Sequence, residues 1–260
     1  MGFHRYNQEG VYTGDFLTHK VLYNPDIHAG QTFLDLVHAL EASQAQIPLV
    51  KRPRNDADLV VEKLPTDGRA RESIWTKLRE RNGEIDPSKK LVILNPNADD
   101  RFLMRQLPLD DYVGLSRRLL QDPDVFLLVT GVAGERPNAE YIRSRLGSDR
   151  ILDLTGATSL RELIDLYNVA DVLITTDSGP AHFACLSGIH IVVFFGPELP
   201  NRYRPLSPTC DVVYSGFTCS PCVSPYNQRL TPCNENLCLQ NLDLDAVCRL
   251  VTDRLSVRSG

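Results

Sequence analysis

The stretch richest in chemistry is the string TTDSGPAHFACLSG, Thr175 to Gly188, which directly follows an apolar run and opens a helical pattern. Ser178 stands where a helix cap belongs, with Gly179 and Pro180 in the first turn. A helix that begins at the carboxyl end of a parallel strand turns unsatisfied N–H groups and a partial positive charge outward, which suits a diphosphate. Asp177 would repel such a group if it faced it, so bracing the loop is the plainer reading of it. Taken singly, Ser178 is an ordinary cap and His182, one turn in, an ordinary surface histidine; the whole string is more specific than either. Upstream, Asn95, Asn97 and Ala98 end another apolar run, where ligands of open α/β sheets gather, although asparagine also favours plain turns. Gly131 and Gly134 bracket the loop after a third run. The GxGxxG fingerprint is absent, which argues against a nicotinamide enzyme.

Four of the seven cysteines crowd together as Cys219, Cys222, Cys233 and Cys238, one pair spaced by two residues and the other by four. Four thiolates at that spacing could close a structural zinc site; disulfides and free thiols are the other readings. The first ten residues, MGFHRYNQEG, lack the basic-then-apolar pattern of a secretory leader, so metal or redox chemistry ranks above a disulfide framework.

The elements that must position these residues follow from periodicity. Short apolar runs at 91–94, 125–129, 151–154, 172–176 and 191–195 carry no polar alternation and read as strands covered on both faces. Between them lie helix candidates at about 109–121, 136–146, 159–168 and 180–187, with Pro108 and Pro180 suited to helix entry and Gly188 to helix exit. Strand alternating with helix predicts a doubly wound, Rossmann-like parallel α/β sheet. The first ninety residues differ: helices are expected at 31–40 and 69–82, the second with the only tryptophan, Trp75, but strand signals are too few for a whole α/β domain. The expected division is therefore a partial lobe at 1–88, a ligand-binding domain at 89–241 and a closing helix and tail at 242–260. Residues 196–240, dense in proline and cysteine, read as loop.

Composition narrows the classes further. A hydrophobic fraction of 42% and a charged fraction of 23% describe an ordinary globule, and the formal net charge of -5 argues against a nucleic-acid partner. No apolar run is long enough to span a bilayer.

DSGPAH at 177–182 together with IVVFFGPELPNRYRP at 191–205 resembles the C-terminal domain of glycosyltransferase family 9, the heptosyltransferase family with the two-domain GT-B fold. LVILNPNA at 91–98, RQLP at 105–108, LLVTGVAGE at 127–135 and the stretch at 154–176 extend the resemblance, and GFHR at 2–5 with the following residues is similar to the late part of that family's N-terminal domain. The resemblance implies inverting transfer of a heptose-like sugar from a nucleoside-diphosphate sugar to a lipopolysaccharide-core-like or other glycan or lipid-linked acceptor, without a catalytic cofactor. It implies a cytoplasmic protein in peripheral contact with the inner membrane surface. Arg105 takes the place of the family's basic residue three positions before a proline, where its guanidinium can hold two phosphate oxygens; a solvated loop charge is the plainer alternative. The family often has lysine there and tryptophan before the proline, whereas this chain has Leu107. Glu135 stands where the family has an acidic residue that accepts from ribose hydroxyls. Asn97, Gly131, Asp177, Ser178, Gly179, Pro180 and His182 complete the expected donor site.

Two other readings compete: a nucleotide-sugar epimerase of similar fold, and a noncatalytic nucleotide-sugar-binding or zinc-stabilised module. The family's catalytic aspartate comes from an earlier strand and glycine-containing loop. Neither Asp15 nor Asp26 sits in a matching motif, so these residues alone are expected to transfer sugar poorly and the catalytic base stays unassigned.

Overall fold

A computed structural model describes residues 1–4, 16–47, 49–53, 56–98, 100–227 and 230–256. In chain order the first elements are β1 (Gly2–His4), β2 (Lys20–Leu22), α1 (Ala29–Ala39), α2 (Gly68–Arg79), β3 (Lys90–Asn95), α3 (Leu109–Leu119), β4 (Val125–Val129) and α4 (Arg136–Leu146). There follow β5 (Ile151–Asp153), α5 (Leu160–Tyr167), β6 (Val172–Thr176), α6 (Gly179–Ala184), β7 (His190–Phe195), α7 (Pro200–Tyr203), β8 (Cys210–Tyr214), α8 (Leu237–Gln240) and α9 (Leu244–Ser256). Contacts divide them into two units, the first of residues 1–60, 197–204 and 216–234, the second of residues 61–196, 205–215 and 235–260.

The second unit is a six-stranded, all-parallel sheet in the order β5-β4-β3-β6-β7-β8. Counted within the unit this is the doubly wound order 3-2-1-4-5-6, in which the direction of strand addition across the sheet reverses between β3 and β6. Every residue of β4 and β6 is buried, which is why their sequences run apolar without alternation. The helices gather as two groups, α3 with α4 and α9, and α5 with α2 and α6. Arg118 of α3 pairs with Asp245 of α9.

The strand and helix expectations from 91 onward hold, but the segment 196–240 read as loop also carries α7, β8 and α8, and residues 61–88 change unit. β8 lies inside the segment read as loop: its five residues are only half-buried at the sheet edge, and CDVVY is too short to stand out among prolines and cysteines. Residues 61–88, expected with the partial lobe, pack in the second unit. Ile74, Trp75 and Leu78 are buried, Thr66 donates to Asp165 at 2.7 Å, and Lys77 donates to Glu162 at 2.6 Å and to the Ala157 carbonyl at 2.9 Å. The apolar face of α2 thus finds its cover on α5, and charge seals the rim.

The first unit contains the parallel pair β1–β2. Within it Arg202 is buried, and its guanidinium donates to the carbonyls of Asn24 at 3.0 Å and Ile27 at 2.9 Å and to the Tyr23 hydroxyl, stacked 4.8 Å from the Tyr23 ring centroid. His28 caps α1: its Nδ1 accepts from the Gly30 amide at 3.1 Å, which leaves Nε2–H to donate to the Arg204 carbonyl at 3.0 Å. Burial lowers the His28 pKa, in keeping with the neutral tautomer this pair of bonds requires.

α5 opens with a capping box in which the Glu162 amide donates to Ser159 Oγ at 3.3 Å and the Ser159 amide to Glu162 Oε2 at 2.8 Å. The Lys77 ammonium, then the Ser159 amide, hold the Glu162 carboxyl at a pKa of about 2, below its ordinary 4.5. A depressed carboxyl stabilises the fold above its unfolded pKa, and that contribution is lost as pH falls from 4.5 through about 2. Because the pair is partly exposed its worth is that of a surface pair, about 0.2–1 kcal/mol. Glu162→Gln should lower the melting temperature at neutral pH and flatten its fall across that acid window, as thermal scans over a pH series would read.

Candidate functional site

The reversal point of the second unit lies at the carboxyl ends of β3 and β6, where Asn95 stands in register with Thr175. Backbone groups leaving a parallel sheet there lose their ladder partners, and this chain satisfies them with short polar side chains. Asn95 Nδ2 donates to the Thr130 carbonyl at 3.1 Å, and Asn97 Nδ2 donates to the same carbonyl at 3.2 Å. Asn97 Oδ1 accepts from Asn138 of α4 at 2.8 Å, and the Asn97 carbonyl accepts from the Thr176 hydroxyl at 3.1 Å. Tyr112 of α3 donates to the Asn95 carbonyl at 3.3 Å, its hydroxyl pKa raised by burial. Asn97, expected to face a ligand, is 4% exposed and spends both side-chain atoms on these bonds; it braces the site from beneath.

Above this floor Arg105 NH1 lies 3.6 Å from Asp177 Oδ2, with 15% and 7% of the two side chains exposed. The Asp177 amide donates to the Phe194 carbonyl at 3.0 Å, which fixes the turn leaving β6. Ser178 occupies the N-cap position of α6 with extended backbone, but its side chain makes no cap bond. Its Oγ donates instead to the Thr176 carbonyl at 3.2 Å, since a hydroxyl following a strand can reach back to the carbonyl two residues earlier. The first-turn amides of α6 are thereby left uncapped by Ser178. Gly179 and His182 are exposed and Pro180 is half-exposed beside them.

The loop after β4 forms the neighbouring wall. Glu135 Oε2 accepts from the Val132 amide at 2.7 Å and closes the turn into α4. A Cβ on Gly131 would stand 2.5 Å from Glu135 Oε2 and 2.7 Å from Asn97 Nδ2, so only glycine lets both side chains meet the loop. The structure therefore brings Asn97, Gly131 and Glu135 together on one side of the reversal point and Arg105, Asp177 and Ser178 together on the other. Sequence reasoning missed Thr130, Asn138 and Tyr112; a threonine directly ending the run VFLLV was the one signal available for the first. This arrangement places a guanidinium, which is always charged, beside a turn of backbone amides at the edge where doubly wound sheets take ligands.

A cavity of about 560 Å³ opens at the other edge of the sheet, lined by Lys90, Arg118, Asp122 and Asp245 among others. Lys90 and Asp122 pair there at 2.8 Å. It lies at the amino ends of β3 and β4, away from the residues above.

The cysteines do not assemble. None of the seven is joined in a disulfide, and among the described residues no group of three or more His, Cys, Asp or Glu is placed to hold a metal ion. Cys219, Cys222 and Cys233 belong to the first unit and Cys238 to the second. Cys222 Sγ accepts from the Thr231 hydroxyl at 3.5 Å, while Cys238 is buried in α8. No helix among the described residues is long and apolar enough to cross a membrane.

Comparison with known proteins gives a consistent answer. Residues 30–231 match glycosyltransferase family 9 (heptosyltransferase). Lipooligosaccharide heptosyltransferase 2 of Campylobacter jejuni is 25% identical over 161 residues, 61% of this chain and 49% of the relative. This chain thus spans about half the length of that curated relative. Among solved structures, ADP-heptose LPS heptosyltransferase II of Escherichia coli superposes with a TM-score of 0.66 at 15% identity, covering 94% of this chain and 72% of that one. A glycosyltransferase of family 9 from Veillonella parvula gives 0.69 at 16% identity, covering 92% and 63%. At those identities the likeness is one of fold.

Gly131→Ala should destabilise the second unit by about 1–3 kcal/mol, the range for overpacking a closed site. Gly134→Ala, whose Cβ would meet nothing within 4 Å, serves as the matched control. Denaturant unfolding of the two variants separates them; equal stabilities would show that the loop relaxes without cost.

Proposed function

This chain belongs to glycosyltransferase family 9, and from that premise we propose that its second unit binds a nucleoside-diphosphate sugar at the reversal point between β3 and β6 for inverting sugar transfer. The observation that carries the reading is the Arg105–Asp177 pair beside the start of α6, where the Ser178 side chain makes no cap bond. Arg105 takes two oxygens of the diphosphate, which offsets the charge that develops on the leaving group. Asp177 turns to the sugar hydroxyls once the diphosphate competes for its arginine. Ser178, Gly179, Pro180 and His182 flank the phosphates, and Glu135 accepts from the ribose.

In the transfer proposed, an acceptor hydroxyl oxygen bonds to the anomeric carbon as the bond from that carbon to the diphosphate breaks. The electron pair of the broken bond stays on the departing diphosphate, whose charge Arg105 and the α6 turn offset, and the proton of the acceptor hydroxyl leaves to solvent or to a base that is not among these residues. The sugar is heptose-like and the acceptor a lipopolysaccharide-core-like or other glycan or lipid-linked molecule, with the reaction at the cytoplasmic face of the inner membrane. Asp26 lies among the described residues and Asp15 outside them, and neither is assigned the proton.

Incubation with a set of nucleotide sugars followed by native mass spectrometry separates the alternatives: sugar transferred to an acceptor supports the proposal, an epimerised sugar or an unchanged bound ligand replaces it. Arg105→Ala should weaken ADP binding by about 1.5–3 kcal/mol, the range for hydrogen bonds to a charged group. Calorimetry that finds unaltered affinity would remove Arg105 from the phosphates.

A further inference from the structure

Residues 63–66 fell in a stretch that the sequence marks only as broken by proline and charge. In the second unit they form a strap between two helices. Lys63 Nζ donates to the carbonyls of Cys185 at 2.9 Å and Ser187 at 2.6 Å, and the Leu64 amide donates to the Leu186 carbonyl at 2.7 Å. Three consecutive carbonyls just past the end of α6 are thus taken by two adjacent residues. The strap then crosses to α5. Asn168 donates to the Leu64 carbonyl and to Thr66 Oγ1, each at 2.9 Å, Thr66 donates to Asp165 at 2.7 Å, and Arg161 donates to the Pro65 carbonyl at 2.8 Å.

α6 needs such an anchor. With six residues it spans about 9 Å and closes few internal hydrogen bonds, so it cannot hold its own direction as a long helix does. At its start the Asp177 amide is tied to Phe194. At its end the ties are Lys63 and Leu64, with an ammonium placed where the helix carries its partial negative charge.

We propose that Lys63 is a positioning residue for nucleotide binding: by holding the carboxyl end of α6 against α5 it fixes the direction in which the turn at Ser178–Gly179 meets the donor diphosphate. The proposal rests on the donor site assigned above. It gives Lys63 no contact with the ligand.

ADP affinity is measured by calorimetry in the wild type, Lys63→Met, Lys63→Arg and Lys77→Met, with the melting temperature of each. Lys77→Met removes a comparable pair of bonds between α2 and the start of α5, neither of them to α6, and reports what general destabilisation does. Lys63→Met is expected to weaken ADP binding about fivefold, within the span of a charge at a helix end. Lys63→Arg should restore most of it, and Lys77→Met should lower the melting temperature with affinity unchanged. Faster amide exchange across 179–184 in Lys63→Met, with exchange in α5 less affected, is the ligand-free signature expected. ADP affinity in Lys63→Met equal to that of the wild type, or reduced equally in Lys77→Met, overturns the positioning role while leaving the donor site in place. If the wild type binds none of ADP, UDP and GDP, the donor reading fails and this one falls with it. Should Lys63→Met fold poorly, Lys63→Gln supplies the same comparison.

Discussion

Where parallel strands end, their backbone groups lose the partners that the sheet supplied, and buried polar groups without partners are costly. The second unit answers this constraint at the carboxyl ends of β3, β4 and β6 with a closed set of bonds from Asn95, Asn97, Asn138, Thr176 and Tyr112. The floor so formed is rigid because each member has one geometry that satisfies it. Arg105, Asp177 and the α6 turn rest on it, and the loop after β4 approaches closely only because Gly131 has no side chain. The candidate site is thus a largely buried charge pair beside an exposed turn, held by a buried polar layer.

The two units meet the same demand differently. In the second, short amides and hydroxyls do the work. In the first, a full guanidinium charge is buried at Arg202 against two carbonyls, a hydroxyl and aromatic faces. Arginine tolerates this better than lysine because its charge is spread over a plane that is weakly hydrated and stacks on rings. His28 adds a neutral ring bridging the start of α1 and the Arg204 carbonyl, so the segment 197–204 is fastened to residues 23–30 by polar contacts.

Much of this was legible from residue patterns. Continuous apolar runs mark strands buried on both faces, and β3, β4, β6 and β7 appear where such runs stand. The string from Asp177 to His182 marks the turn at the end of β6. What could not be read was whatever depends on partners distant in sequence. β8 carries only half-buried residues, so its apolar pattern is weak, and α2 is assigned to its unit by the packing of Trp75 and the bonds of Lys77 to α5. Ser178 has the residue type of a cap but the bonds of a strand end, and Asn97 has the place of a ligand contact but the bonds of a brace. Cysteine spacing suggests a metal site, and the boundary between the units falls between Cys233 and Cys238, which no residue pattern marks.

The strand order has a kinetic side as well. Neighbours on either flank are joined by short crossovers, as in the 35-residue separation between Asn95 and Thr130 across β3 and β4. The central seam joins β3 to β6, where the Leu91 amide meets Asp171 across a separation of 80 residues. Closing the longer loop costs more chain entropy before any contact rewards it. The two halves of the sheet can therefore gain structure before they meet, and among the strand pairings the seam that completes the sheet carries the greatest entropic handicap. A molecule that grips both sides of that seam would act on folding as a late-binding clasp, drawing the halves into register and slowing their separation.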